Sequence, residues 1–591
     1  MEAKQVSALL IGLVLTCSIH SQQQSDLLEP ESASQQLTNA TANSGLGQIK
    51  QLSAKKHMVV TANPYASNAG LKILRDGGTA ADAMVAVQTI LGLVEPQSSG
   101  LGGGSFTLYF DSETADLTAF DGRETAPLKV KADLFLKEDQ SPMAFFDAVV
   151  GGRSVGTPGT VALLWHIHQK HGKKAWNELL QPAIQLAEQG FEVSPRLAGA
   201  IEKDKARLAT DKDTSAYFLP NGEPLKAGVT LKNQTYANAL KQISTGGAQA
   251  FYQGRLPQDI VNKVRGANNP GALSVEDFKD YKVIERKPVC SEFMSYDICG
   301  MGPPSSGAHA VGQILRLSEL AQLEDYPAES PIAWQIIADA TRLAFADRNL
   351  YLADPSYFNV PDWLLNPEYL NQRASLIKSG KPLTEAPAGN FADTMSSSLV
   401  TGQNTEQPST THFTIVDQNG NVLSSTSTIE NGFGSRLMVH GFLLNNELTD
   451  FSFAYQDESG LIANRVEPGK RPRSSMAPTI VMENNSPVLA VGSPGGSRII
   501  NYVANSLIRS LMWKQTPYNA INAPHLSNRF GQMDLEQDRF DEEAVQAYEK
   551  MGYKVELRDL NSGLHIIKID RDNNTLIGAA DLRREGHVAG E

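Results

Sequence analysis

A threonine at the head of a β-strand, directly after a stretch with no periodicity, is the place in this sequence where side chains and spacing best fit covalent chemistry. Residues 380–409 (GKPLTEAPAGNFADTMSSSLVTGQNTEQPS) are polar and rich in Pro and Ser, the composition of a loop or linker. Thr410-Thr411-His412 follows, and THFTIVD–QNG–NVLSSTSTI reads as a β-hairpin, two alternating runs around Asn419-Gly420. A threonine hydroxyl is a weak nucleophile and needs a base within hydrogen-bond reach. His412 is the tempting partner, but side chains two apart on a strand stand roughly 6.6 Å apart at about 3.3 Å per residue. His412 therefore reads as a packed, hydrogen-bonded residue. The α-amino group of Thr410 itself would be close enough, and an amine pKa of roughly 8 suits work near neutral pH. That solution requires the Ser409–Thr410 bond to be cut, and an exposed polar linker is a sensible place for a cut.

Two further features belong to the same chemistry. If the hairpin loop is Gln418-Asn419-Gly420, Thr428 lies directly opposite Thr410, where its hydroxyl can orient the nucleophile. The plainer reading is that Thr426 and Thr428 satisfy strand propensity. Acyl transfer also needs donors for a developing oxyanion. Gly495-Gly496, between VLAVG and a helix, can present two backbone N–H groups with no side chain in the way. A simple strand-to-helix turn explains one of these glycines better than two.

The surrounding elements are legible in outline. Residues 62–96 read as two helices broken at Gly77-Gly78, and SGLGGGS (99–105) leads into an alternating strand, FTLYF. A dinucleotide loop is the wrong reading of those glycines, because they follow a helix and enter a strand. Residues 150–290 are mostly helical; His166, His168 and His171 lack a carboxylate or cysteine to complete a metal set and read as a solvated helix face. A helix is expected over 331–355, strands at GFLLNNE, PTIVME and PVLAVGS, and a helix at RIINYVANSLIRSLMW. Helices, then strands, then helices suggest sheets sandwiched between helical layers.

Of the three cysteines, Cys290 and Cys299 sit in PVCSEFMSYDICG, where a two-residue turn at Met294-Ser295 sets them opposite each other. That placement suits a structural cross-strand disulfide in an oxidising compartment; two separate buried thiols are the alternative. Lys4 and the apolar run from Val6 to Thr16 read as an export signal over residues 1–18, too short to span a bilayer. A lipid-modified Cys17 is the second reading there, although Leu15 and Thr16 fit a lipid-attachment motif poorly. Residues 19–54 read as a disordered leader. With 591 residues, 41% of them hydrophobic, the chain can bury a large layered core. A net charge of −13 argues against nucleic acid and anionic membranes as partners, and no later segment is apolar enough to cross a membrane.

Thr410-Thr411-His412 is also where the chain resembles the γ-glutamyltranspeptidases. The likeness runs from about residue 55 to the end, through GGTAADA, GLGGGSF, SVGTPGTVA (154–162), PPSSGAH (303–309), RPRSSMAPTIV (471–481) and GSPGGSRII (492–500). It implies an α+β fold, a four-layer αββα N-terminal-nucleophile hydrolase, cut into a heavy chain (55–409) and a light chain (410–591) that remain together as a heterodimer. It implies that Thr410 attacks γ-glutamyl amides such as glutathione. The γ-glutamyl ester then passes to water, an amino acid or a dipeptide, with no cofactor and no metal. By resemblance Thr428 orients the nucleophile and Gly495-Gly496 form the oxyanion hole. Arg123, Ser474 and Ser475 hold the donor's α-carboxylate, and Glu447 and Asp450 its ammonium. A periplasmic or secreted location follows.

Two departures from the family pattern matter. Glu430 stands where many members carry asparagine, adding a third carboxylate that needs a cation, either the donor ammonium or Arg436. The pocket should then reject glutaryl-type donors. The segment from Phe451 to Lys470 is shorter than the lid of some members, with Tyr455 out of register as a lid tyrosine. Two other functions fit parts of the pattern: an acylase of the same fold acting on cephalosporin-like or poly-γ-glutamate substrates, and an uncleaved periplasmic binding protein.

Overall fold

The computed structural model describes residues 48–391, 399–402 and 409–591. The export signal at 1–18, Cys17, most of the leader and two stretches of the linker before Ser409 (392–398 and 403–408) lie outside the described residues.

Two seven-stranded sheets stack between helical layers. One runs, edge to edge, His587–Gly590, Met58–Thr61, Thr411–Val416, Val422–Thr428, Gly104–Asp111, Asp116–Gly122 and Ile284–Arg286. Alternation of side chains explains its two faces. Val59, Tyr109, Phe120, Phe413 and Ile415 point into a core shared with the helices Pro64–Arg75 and Ala80–Val94 and the helical region after residue 150. Met58, Val60, Phe106, Leu108 and Ala119 point the other way, toward the second sheet. Covered on both faces, Thr411–Val416 and Val422–Thr428 are buried along their whole length. The second sheet pairs Ser486–Gly492 with Thr479–Glu483 and His565–Asp570 and is backed by the helices Gly307–Leu320, Pro331–Tyr351 and Ile499–Leu507. Polar bonds also cross between the sheets: Ser424 Oγ donates to the Val491 carbonyl at 3.2 Å, and His565 Nδ1 meets the His412 carbonyl at 2.7 Å.

The expected helix break falls at Gly77-Gly78. Thr79 caps the second helix through a reciprocal pair of bonds with Asp82, and the hairpin residue Asp417 accepts from the Ala80 N–H at 2.9 Å. Cys290 and Cys299 face each other across a hairpin and are joined by a disulfide.

Several expectations need correction. The body begins at Gln51–Ala54, an edge strand paired with Thr575–Ala580, inside the stretch whose composition reads as leader. GFLLNNE supplies only the two-residue strand Phe442–Leu443, because its asparagines turn away to bond elsewhere. The histidine cluster is no solvated face: His168 is buried against Trp165 and Trp176, His171 stacks on Tyr109, and His166 is only half-exposed.

Candidate active site

Thr410 sits one residue before the strand Thr411–Val416, and the hairpin register decides what it faces. Thr411 pairs with Ser427 and His412 with Thr426, so continuation by one residue sets Thr410 against Thr428. Their hydroxyl oxygens are 3.0 Å apart. The Glu430 N–H donates to Thr428 Oγ1 at 2.9 Å. One Thr428 lone pair is thereby taken, and donation from its hydroxyl to Thr410 Oγ1 would leave the proton of Thr410 free for a base. Glycines admit this approach: a Cβ on Gly103 would lie 2.0 Å from the Thr428 carbonyl oxygen.

The peptide before Thr410 is intact and held under strain. Thr410 has φ +81°, a left-handed conformation that a β-branched residue avoids. The carbonyl of Ser409 accepts from the Gly495 N–H at 3.1 Å, while the Ser409 hydroxyl donates to the Gln97 carbonyl at 3.0 Å. Gly495 adopts φ +133°, and a Cβ there would lie 2.7 Å from the Tyr502 ring, so this N–H can be aimed only from glycine. Thr410's own carbonyl accepts from Arg584 Nη1 at 3.2 Å.

Thr410 and Thr428 open onto a tight cleft of about 20 Å³ that Arg123, Glu430, Glu447, Asp450, Ser474, Ser475, Met476, Gly496 and Ile499 also line. The predicted site residues other than Ser409 and Gly495 therefore meet around one space, and those two lie against Thr410. The arrangement of charges differs from a carboxylate seat beside a separate ammonium seat. Arg123 is buried and bonds Glu447 through Nη1 and Asp450 through Nη2. Burial opposes its charge, but the two acids outweigh burial and raise its pKa. Asn446 donates to Glu430 Oε2. Arg436 does not neutralise Glu430. It bonds Asp204 at 2.7 Å, the Gly434 carbonyl and Asn431, because its left-handed backbone (φ +62°) turns it away from the cleft. Ser475 Oγ accepts from Arg348 Nη2 at 2.7 Å, which frees its own proton to point elsewhere, and Ser474 Oγ takes the Met476 N–H.

Sequence reasoning missed Glu124, next to Arg123. Its carboxyl is fully buried against Gly104, and burial pushes its pKa up to about 7. Burial also raises Glu447, which shares a side-chain hydrogen bond with Glu124. Two buried carboxyls side by side cannot both ionise readily, so the pair holds one proton between them. Arg348 and Arg584 were missed too; buried arginines far away in sequence leave no local pattern, although the segment DGRETAP carried Glu124 in plain view.

His412 is a packed histidine, as its spacing implies. It bonds Thr426 Oγ1 at 2.8 Å, lies against Gly492, and burial lowers its pKa well below the usual histidine range. Tyr455 does not line the cleft. The strand Leu461–Ile462, within the short lid-like segment, pairs with Leu399–Val400 upstream of the junction. Among the described residues no helix is long and apolar enough to cross a membrane, and no cluster of three or more potential ligands is placed to hold a metal ion.

Comparison with known proteins matches residues 66–591 to the family model described as Gamma-glutamyltranspeptidase. The chain is 36% identical over 548 residues to the glutathione hydrolase proenzyme of Bacillus subtilis, covering 91% of this chain and 92% of that one. It is 35% identical over 543 residues to the proenzyme of the same name from Escherichia coli, covering 90% and 91%. Its fold is also that of a cephalosporin acylase from Bacillus halodurans, with a TM-score of 0.80 at 24% identity over 96% of this chain and 99% of that one.

Proposed function

The chain belongs to the γ-glutamyltranspeptidase family, and on that premise we propose that it is a self-cleaving γ-glutamyltransferase and glutathione hydrolase working through an ester on Thr410. The observation that carries this reading is the junction itself: a strained threonine, its hydroxyl held by Thr428, with a glycine N–H on the carbonyl of the preceding residue.

In maturation, Thr410 Oγ1 adds to the Ser409 carbonyl carbon and Gly495 donates to the developing oxyanion. The C–N bond breaks, the hydroxyl proton ends on the Thr410 nitrogen, and water hydrolyses the resulting ester to a Ser409 carboxylate. The products stay together because one sheet interleaves strands from both sides of the junction: Met58–Thr61 lies between His587–Gly590 and Thr411–Val416. In turnover, the new α-amine takes the Thr410 hydroxyl proton and Oγ1 attacks the donor's γ-carbonyl. Gly495 and Gly496 receive the oxyanion, the ammonium returns its proton to the leaving amine, and cysteinylglycine departs when glutathione is the donor. Water or an acceptor amine then cleaves the ester. The donor's α-carboxylate takes Arg123, Ser474 and Ser475. Its ammonium takes Glu430, Glu447 and Asp450, so binding exchanges the cleft's internal ion pairs for pairs with the substrate. The apolar N-terminal run and the disulfide support an exported, periplasmic or secreted enzyme.

The test is a denaturing gel of the purified protein with N-terminal sequencing of any small fragment. A light chain starting Thr-Thr-His-Phe, absent in Thr410→Ala, is expected. A chain that stays whole while hydrolysing γ-glutamyl-p-nitroanilide overturns the mechanism.

A further inference from the structure

Behind Thr410, away from the donor cleft, lies a buried charged cluster that neither donor binding nor the oxyanion uses. Arg584 is its centre. Its Nη1 donates to the Thr410 carbonyl at 3.2 Å, and its Nε and Nη2 bond the side chain and backbone of Asn561 at 2.8 and 3.1 Å. Each of its three nitrogens thus makes a bond, and its Cδ packs 2.8 Å from where a Cβ on Gly563 would stand. Facing it are Glu95 at the end of the helix Ala80–Val94, Arg196 at the start of Pro195–Leu208, and Asp581 on its own turn. Glu95 is 1% exposed, neither of its oxygens has a hydrogen-bond partner, and its nearest cation, Arg196 Nε, is 3.8 Å away. Glu585, beside Arg584, accepts from the Arg196 N–H and leaves its second oxygen unpartnered. On the cleft side stand Glu430, whose N–H reaches Thr428, and the Arg123, Glu447 and Asp450 group.

Such a clamp is more than backbone scaffolding. A main-chain carbonyl can be held by any amide or water, whereas here a guanidinium is buried for the purpose, at a cost visible in the lowering of its pKa to about 9 by burial and Arg196. A residue's nitrogen lies roughly 3–3.5 Å from its own carbonyl oxygen, so the charge stands within about 6.5 Å of the Thr410 nitrogen. We propose that Arg584 tunes the catalytic base. Its fixed charge disfavours the ammonium form of the Thr410 α-amine and keeps that amine a free base near neutral pH, while Glu95 moderates the field from behind. The inference rests on the α-amine being the base.

The experiment is the pH dependence of kcat/KM for γ-glutamyl-p-nitroanilide, whose acid limb reports the base of the free enzyme. A unit charge at this separation moves an amine by roughly one to two pH units in a partly buried site. Arg584→Gln is therefore expected to move the acid limb up by about that much, and Arg584→Lys to hold it near the wild-type position. Burial pushes Glu95 up to about 7, so it carries its charge mainly above that pH; there Glu95→Gln, which removes the opposing charge without touching Thr410, should move the limb down by up to about half a unit. A merely structural role lowers rates without displacing the limb, and cannot move it in opposite directions for the two charges. Superposable profiles, or shifts of the same sign, overturn the proposal. If Arg584→Gln does not mature, Glu95→Gln decides alone, read above pH 7 where Glu95 is charged, and an unmoved or raised profile there is fatal. Failure of the underlying reading looks different: the wild-type chain then turns over without a free Thr410 N-terminus.

Discussion

The charge count in the cleft makes donor selection a quantitative test. Arg123 contributes +1 and Glu430, Glu447 and Asp450, taken as ionised, contribute −3, a formal sum of −2 before the proton that Glu447 and Glu124 share is counted. A γ-glutamyl head group adds one carboxylate and one ammonium and leaves that sum unchanged. A glutaryl head group adds only the carboxylate and takes it to −3, with Arg123 asked to serve three anions at once. An ammonium about 4 Å from a carboxylate gains roughly 4 kcal/mol at an effective dielectric constant near 20, and desolvation returns much of that. A net preference of about 2–4 kcal/mol corresponds to roughly 30- to 1,000-fold in kcat/KM. Initial rates of p-nitroaniline release at pH 7 from γ-glutamyl- and glutaryl-p-nitroanilide measure it. Glu430→Gln should narrow the gap by about tenfold, mainly by slowing the γ-glutamyl substrate. A wild-type gap under threefold, or a gap that Glu430→Gln leaves unchanged, refutes the ammonium argument and favours an acylase.

The hydroxyl relay predicts that Thr428→Val, which leaves the Glu430 N–H without its acceptor, lowers kcat/KM by roughly 10- to 100-fold and slows cleavage, while Thr428→Ser restores both. A valine variant that matures and turns over normally removes Thr428 from the mechanism. Gly495→Ala should abolish cleavage on the gel, since φ +133° and the Tyr502 ring leave no room for a methyl group; normal processing would show that another N–H serves the carbonyl. Glu124 supplies a pH-linked stability test. Its folded pKa of about 7 lies above the ordinary 4.5, so its stabilising share is complete below pH 4.5 and is lost as pH rises through 7. The difference of about 2.5 units is worth up to ~3 kcal/mol at about 1.36 kcal/mol per unit. Thermal unfolding of Glu124→Gln should therefore gain on the wild type between pH 5 and pH 8, and a pH-independent difference contradicts the shared proton.

What could be read from sequence follows from how far each constraint reaches along the chain. The hairpin and its loop centred on Asn419 occupy fewer than twenty residues, and turn chemistry with period-two alternation sufficed to set Thr428 against Thr410. The same local logic set Cys290 against Cys299. Nothing local reveals that Met58–Thr61 inserts between the first strand of the hairpin and the last strand of the chain, or that Arg348 and Arg584 reach the site from distant stretches on either side of the hairpin. The three histidines misled because Trp165 and Trp176, which bury His168, belong to two different helices. Arg436 misled because a positive φ, invisible in composition, points it toward Asp204.

Strain at Thr410 also explains why one set of groups can serve two reactions in order. A left-handed β-branched residue costs on the order of 1–3 kcal/mol, and here it is held by sheet pairing on one side and by Ser409 on Gln97 and Gly495 on the other. Cutting the bond removes the preceding carbonyl, and with it the clash that defines φ, so the strain is released only in the product. The same cut vacates the Gly495 N–H and creates the amine the second reaction needs. Rejoining the ends would require restoring the strain and displacing any donor from the oxyanion site. On the proposed mechanism, maturation is thus driven forward by the geometry that it then hands to catalysis.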